Sequence, residues 1–163
     1  MIALRTVGPD DWPDWRALRL AALAEAPDAF GSTLAEWQGA GDREERWRAR
    51  LAIPGSLNLL GVADDRPVGM ASGVPDDGRA ELISMWVSPT ARGMGLGDLL
   101  IAEIARWAVG RSADALYLSV RPDNTSAIAL YARNGFVDTG EPGELLPDGV
   151  RREIVMAKAL SAS

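Results

Sequence analysis

Val87-Ser88-Pro89-Thr90-Ala91-Arg92-Gly93-Met94-Gly95-Leu96-Gly97-Asp98 runs from the end of an apolar, strand-like stretch through a turn into a helix-forming segment. Glycines at 93, 95 and 97 keep side chains away from the first, unpaired helical N–H groups. An anion can therefore approach both those donors and the positive end of the helix dipole. The spacing separates the known phosphate loops. A Walker-type loop ends in Gly-Lys-Ser/Thr, whereas Gly97 is followed by Asp98 and Leu99, with no lysine to reach a terminal phosphate. A dinucleotide fingerprint needs glycine at its first, third and sixth positions, and counting from Gly93 the sixth is Asp98. Arg-x-x-Gly-x-Gly, carried by Arg92, Gly95 and Gly97, remains, and the competing reading of it is a glycine-rich turn with no ligand.

A second block lies downstream. Residues 116–136, Leu-Tyr-Leu-Ser-Val-Arg-Pro-Asp-Asn-Thr-Ser-Ala-Ile-Ala-Leu-Tyr-Ala-Arg-Asn-Gly-Phe, again read as strand, loop and helix. Asn124 or Thr125 is a good N-cap, Ala127, Leu130 and Tyr131 share a helical face, and Gly135 is placed to end the helix in a left-handed turn. Arg-x-x-Gly-x-Gly followed by Asn-x-x-Ala-Ile-x-Leu-Tyr-x-x-x-Gly-Phe resembles, in order, the two signature blocks of the GCN5-related N-acetyltransferases. The resemblance covers most of residues 57–157 and is weakest over the first 50.

Composition narrows the alternatives. The chain has 163 residues, 47% of them hydrophobic, enough for one domain over 1–163 with a substantial core. A formal charge of −6 argues against a nucleic-acid binder and suits a cationic amine substrate. The start, Met-Ile-Ala-Leu-Arg-Thr-Val, is too short and too polar in its continuation for a signal peptide, and no apolar run approaches membrane-spanning length. A soluble, cytoplasmic protein without membrane partners is expected. Cysteine and histidine are both absent, so there is no thiol nucleophile, no thiolate or imidazole metal site and no histidine base. Acyl transfer should therefore be direct, without a metal.

The patterning predicts an α/β (α+β) order. A strand over 2–7 is followed by a helix from Asp11 to about Ala24, with Pro13 tolerable only in its first turn. Helical pieces follow at Thr33–Gln38 and Asp42–Leu51. Strands at Leu57–Ala63, Val68–Val74 and Glu81–Val87 are separated by Asp64-Asp65-Arg66-Pro67 and Pro75-Asp76-Asp77-Gly78, which predicts an antiparallel meander. A helix over Gly97–Val109 carries the core stripe Leu100, Ile101, Ile104 and Ala108, and Ala115–Val120 is the next strand, parallel to the last by the crossover rule. Phe136–Gly140 and Arg151–Ala157 close the chain as antiparallel strands. The sum is a mixed, mostly antiparallel sheet of six to seven strands flanked by four to five helices. The resemblance adds that the two parallel strands splay apart around the cofactor's pantetheine arm.

The resemblance also assigns roles. Backbone groups of Met85, Trp86 and Val87 pair with pantetheine, and the Met85 N–H polarises the thioester carbonyl of acetyl-CoA. Arg92, Gly93, Met94, Gly95, Leu96, Gly97 and Asp98 form the pyrophosphate loop, and Asn124, Ala127 and Tyr131 contact the arm. Glu81 is the candidate general base and Tyr131 the general acid. A primary amine is protonated about a thousandfold at neutral pH, a deficit of roughly 4 kcal/mol, and a glutamate of ordinary pKa is a poor base for it. Glu81 must be raised by burial or act through water, and its competing readings are a surface carboxylate or a binder of the substrate ammonium. Acceptor contacts fall to Arg19 and Phe30, with Arg16, Trp37, Trp47 and the Glu141–Pro147 loop nearby. Ser119 stands where related sequences often carry glutamate, which counts against a peptide amino-terminus acceptor. The expected substrate is a small-molecule or peptide amine, a homodimer is left open, and a non-catalytic acyl-CoA sensor of the same fold is the alternative function.

Overall fold

Two tight reversals organise the centre of the chain. Asp64 and Asp65 (φ 50° and 66°), and Asp77 with Gly78 (φ 47° and 81°), each place two consecutive residues at positive φ, the geometry whose twist matches that of antiparallel strands. The computed structural model, which describes residues 1–27 and 33–160, accordingly folds Leu57–Ala63 (β2), Arg66–Asp76 (β3) and Arg79–Val87 (β4) as a meander, with Ile2–Val7 (β1) antiparallel to β2. The connections are two residues long rather than four, because Pro67 and Pro75 belong to β3. Pro67 lies beyond the end of β4 pairing at Gly69, and Pro75 beyond the end of β2 pairing at Gly73. Each proline thus sits where β3 has a neighbour on one side only, and its missing N–H costs the ladder nothing.

Ala115–Val120 (β5) returns parallel to β4 across Leu96–Gly110 (α3), Arg152–Ala159 (β7) pairs antiparallel with β5, and Val137–Leu145 (β6) takes the edge. The order is β1-β2-β3-β4-β5-β7-β6. β6 runs beyond the expected Gly140 through an irregular register at Pro142, which an edge strand tolerates. Trp12–Glu25 (α1) and Glu44–Leu51 (α2) cover one face of the sheet; α3 and Thr125–Arg133 (α4) cover the other. The helix expected at Thr33–Gln38 is replaced by short 3-10 turns at Ala35–Trp37 and Gly39–Gly41, the second opened by Gly39 at φ 58°.

β4 and β5 are paired only at Ala80–Leu116 and Glu81–Tyr117, although both strands continue. Beyond that point the parallel pair diverges. α3 sits unusually close to the sheet at its first residue, because a Cβ on Gly61 or Gly69 would come within 2.6 or 2.8 Å of Leu96.

Candidate active site

A bulge in β4 divides the site. Ser72 pairs with Ile83 and Met70 with Trp86, so Ser84 and Met85 together oppose the single residue Ala71, and Ser84 adopts φ 54°. The extra residue shifts the alternation of side chains. Leu82, Met85 and Val87 all pack toward the core beneath α3, while Trp86 enters the opposite core with Trp15 and Trp47. On one side of the bulge, Met85, Trp86 and Val87 line a groove of about 740 Å³; on the other, Glu81, Leu82, Ile83 and Ser84 line a cavity of about 780 Å³.

The groove contains the glycine loop. Gly93 and Gly95 hold φ 81° and 82°, a region that other residues enter at a cost, and Gly95 is the N-cap of α3. The first intrahelical bond runs from Leu99 N–H to the Gly95 carbonyl (3.1 Å), leaving the amides of Leu96, Gly97 and Asp98 without helical partners. Arg92 donates through Nε to the Val87 carbonyl (3.0 Å) and through Nη2 to Glu25 (3.2 Å). Asp98 accepts from Asn134 (2.8 Å) and Arg133 (3.0 Å), contacts that hold its carboxyl below the usual range, Asn134 most of all. Its side chain ties α3 to α4. Met94 is 49% exposed and does not line the groove, unlike the other loop residues from Arg92 to Asp98. Across the groove, Asn124 Oδ1 caps α4 by accepting from Ala127 N–H (3.4 Å), and Ala127 and Tyr131 line the wall. Tyr131 is 8% exposed, its ring stands edge-on to Phe136 at 5.8 Å, and burial pushes its hydroxyl up to about 12.

The second cavity lies between the helices α1 and α2 and the β6–β7 hairpin. Burial first, then a hydrogen bond with Asp76 and the negative charges of Asp76 and Glu153, push the Glu81 carboxyl up to about 7. Arg19, Trp37, Trp47 and Ser119 share the lining, together with Pro142, Gly143 and Glu144 of the 141–147 segment. Glu141 instead pairs with Arg79 (3.0 Å), and Arg16 with Asp42 (2.7 Å), which also accepts from Trp47 Nε1 (2.8 Å). Neither Glu141 nor Arg16 lines the cavity. Phe30 lies outside the described residues. Tyr131 and Glu81 belong to different hollows, whose linings are adjacent along β4 at Ser84 and Met85. Among the described residues no group of three or more potential metal ligands occurs, and no helix is long and apolar enough to cross a membrane.

The model of the acetyltransferase (GNAT) family matches residues 14–136. The chain belongs to that family. A mycothiol acetyltransferase of Clavibacter sepedonicus is 35% identical over 137 residues, covering 84% of this chain, and the chain spans only 43% of that protein's length. A GNAT-family acetyltransferase from Streptococcus pneumoniae superposes with a TM-score of 0.79 at 20% identity, covering 99% of this chain and 100% of its own. The PaiA N-acetyltransferase of Thermoplasma acidophilum, crystallised with coenzyme A, gives a TM-score of 0.75 at 17% identity, with 98% and 99% covered. These two structural likenesses show the GNAT fold.

Several wall residues of this GNAT chain escape a reading of the sequence. Glu25, Asp123 and Arg133 line the groove, and Arg50 lines the cavity. Arg133 follows Tyr131 by two positions, a spacing that puts it off the helical stripe, and only the placement of α4 against α3 brings it to Asp98. Arg50 lies in the charged run Glu44-Glu45-Arg46-Trp47-Arg48-Ala49-Arg50, which reads as a solvated face.

Proposed function

We propose that this chain is an acetyl-CoA-dependent N-acetyltransferase acting directly on the primary amine of a small molecule or peptide. The observation that carries the reading is the bulge at Ser84–Met85. It sets an anion-ready glycine loop and a protonated tyrosine on one side of β4 and a buried carboxyl at about 7 on the other. The groove suits coenzyme A on its own geometry. A Cβ on Gly97 would lie 3.2 Å from Leu130 and 3.5 Å from Met85, so a bare backbone is what keeps the floor open. The β4 edge from Leu82 to Val87 has no β5 partner, which leaves its backbone groups for an extended, amide-bearing arm. Asn124 uses Oδ1 as the helix cap and keeps its Nδ2 donors for the same arm. Arg92 and Arg133 sit in exposed ion pairs worth about 0–1 kcal/mol, so both re-pair readily with a doubly charged pyrophosphate.

Acetyl-CoA held in the groove would supply an activated acetyl thioester. Glu81 takes a proton from the acceptor ammonium, directly or through a water, and passes it to solvent. The amine forms the new C–N bond while the Met85 N–H bonds the acetyl oxygen and the C–S bond breaks. Tyr131 gives its proton to the departing sulfur and recovers one from the acylated nitrogen. Of the two protons the ammonium loses, one ends on sulfur and one in solvent.

Calorimetric titration with acetyl-CoA, followed by thiol-release assays over an amine panel, tests the reading. Binding with release for at least one amine is expected. Binding without release for any acceptor replaces the enzyme with an acyl-CoA sensor, and no binding overturns both. The loop has its own test. Among the described residues nothing lies within 4 Å of a Cβ at Gly95, so Gly95→Ala meets the conformational cost of positive φ, about 1–2 kcal/mol. Restoring that conformation on binding should weaken acetyl-CoA about tenfold and leave the acceptor KM unchanged; equal affinity in calorimetry removes Gly95 from the cradle.

A further inference from the structure

The charges around the second cavity are sorted by side. Asp76 and Glu81 on the β3–β4 strands face the hairpin residues Glu144 and Glu153, with Arg152 among them donating to the Gly143 carbonyl (2.9 Å). The helical wall opposite is cationic, with Arg19 from α1 and Arg50 from α2. Arg50 is held by neutral oxygens: Nη1 donates to Asn58 Oδ1, and Nη2 to Ser72 Oγ and Ser84 Oγ, all at 3.0 Å, while the guanidinium lies 5.1 Å over the Trp15 ring. Burial first, and then the Arg19 cation, lower Arg50 to about 10, so it keeps its charge at neutral pH. Three of its five N–H groups are thereby engaged, none on a carboxylate among the described residues. A partly buried cation held by neutral dipoles keeps a field that a bound anion would neutralise. The same wall has donors to spare. The indole N–H groups of Trp15 and Trp37, both cavity-lining, are buried with no acceptor among the described residues, whereas buried polar groups are nearly always paired.

Resting on the acetyltransferase reading, we infer that the acceptor is a small amino carboxylate, whose carboxylate binds Arg50 while its amine faces Glu81 and the β4 bulge. Arg50 leaves Nε–H and one Nη1–H on separate edges of the guanidinium, and either can donate a charge-assisted hydrogen bond to a carboxylate oxygen. Ser84 sets the length of the acceptor. Its hydroxyl touches Arg50 and its backbone immediately precedes Met85, so the anion site adjoins the point where the thioester carbonyl is polarised. That adjacency fits a carboxylate a few atoms from the reacting amine.

The test uses thiol release with acetyl-CoA and the whole chain. Lysine, glutamate, phenylalanine and methionine are each compared with their carboxamides, their decarboxylated amines and aminoalkyl phosphates of similar length. Acids should be favoured at least 100-fold in kcat/KM, mainly through KM. In Arg50→Gln the acid-to-amide ratio should fall to within about threefold of one, with Arg50→Lys intermediate; a variant that merely loosened α2 lowers both rates and leaves the ratio. Because Arg50→Gln also strips partners from Asn58, Ser72 and Ser84, the wild type provides an independent measurement. An amine-free analogue of the best acid should inhibit competitively against the acceptor and not against acetyl-CoA, and its methyl ester should not inhibit. Turnover of amides or diamines equal to that of acids, preference for the phosphates, or an unchanged ratio in Arg50→Gln overturns the inference and leaves the acetyltransferase reading standing. Absence of thiol release with every amine defeats both.

Discussion

Tyr131→Phe should lower kcat by about 10²-fold or more while changing acetyl-CoA affinity by less than about twofold. The substitution removes one oxygen and little else. The ring is 8% exposed and stacks edge-on with Phe136 at 5.8 Å, contacts that phenylalanine preserves. Burial holds the hydroxyl at about 12, so Tyr131 keeps its proton through neutral pH and should impose no limb on the pH profile there. The same burial makes donation demanding. Against a free thiol near 8.5, full transfer to a relaxed thiolate in water would be uphill by about 5 kcal/mol. As the proposed general acid, Tyr131 would act only if its proton moved as the C–S bond broke, onto a sulfur that is itself desolvated. Stopped-flow or steady-state thiol release with calorimetric Kd values checks both halves of this expectation. A turnover equal to wild type removes Tyr131 from the mechanism, and a parallel loss of affinity reassigns it to packing against the cofactor.

The parts of this site that the sequence discloses are those set by local backbone geometry. Glycine spacing at 93, 95 and 97, the Asn124 cap and the hairpin connections begun at Asp64 and ended at Gly78 act within a few residues, and the fold contains a glycine loop, that cap and both hairpins, the turns shortened to Asp64–Asp65 and Asp77–Gly78. What the sequence conceals depends on partners far along the chain. Nothing in Ile83-Ser84-Met85 marks a bulge, because the surplus residue is defined by Ala71 on the neighbouring strand. Arg48 and Arg50 look alike in the same charged helix. Yet Arg48 meets Asp10 and Glu44 at the surface, while Arg50 enters a polar cluster built from β2, β3 and β4. Pro67 and Pro75 mislead for the same reason: their tolerance inside β3 comes from where the adjacent strands end. Asp98 lines the groove with the rest of the loop, while its carboxylate, about which the glycine spacing says nothing, pairs with Arg133 and Asn134 and ties α3 to α4.

Glu81→Gln should abolish the acidic limb of the rate profile and, in the opposite sense, alter stability. With the Glu81 carboxyl at about 7, wild-type kcat/KM should rise about tenfold per pH unit below that value and level off above it. The glutamine variant should lose about 10²-fold at about pH 8 and show no limb near 7. The linkage follows from the same shift. Unfolded, the carboxyl ionises near 4.3, whereas folded it holds its proton to about 7, so between those values the native state binds more protons and stability falls as pH rises. Glutamine escapes that loss. The melting temperature of Glu81→Gln relative to wild type should therefore increase from about pH 4 to about pH 8, over the interval in which its relative activity declines. Loss of activity with a retained limb would assign the base elsewhere, and Glu153 is the group to replace next, since burial raises its carboxyl too and it faces Glu81 across the cavity. Full activity in Glu81→Gln would leave the carboxyl as a binder of the ammonium at most, and an unchanged KM would exclude that as well.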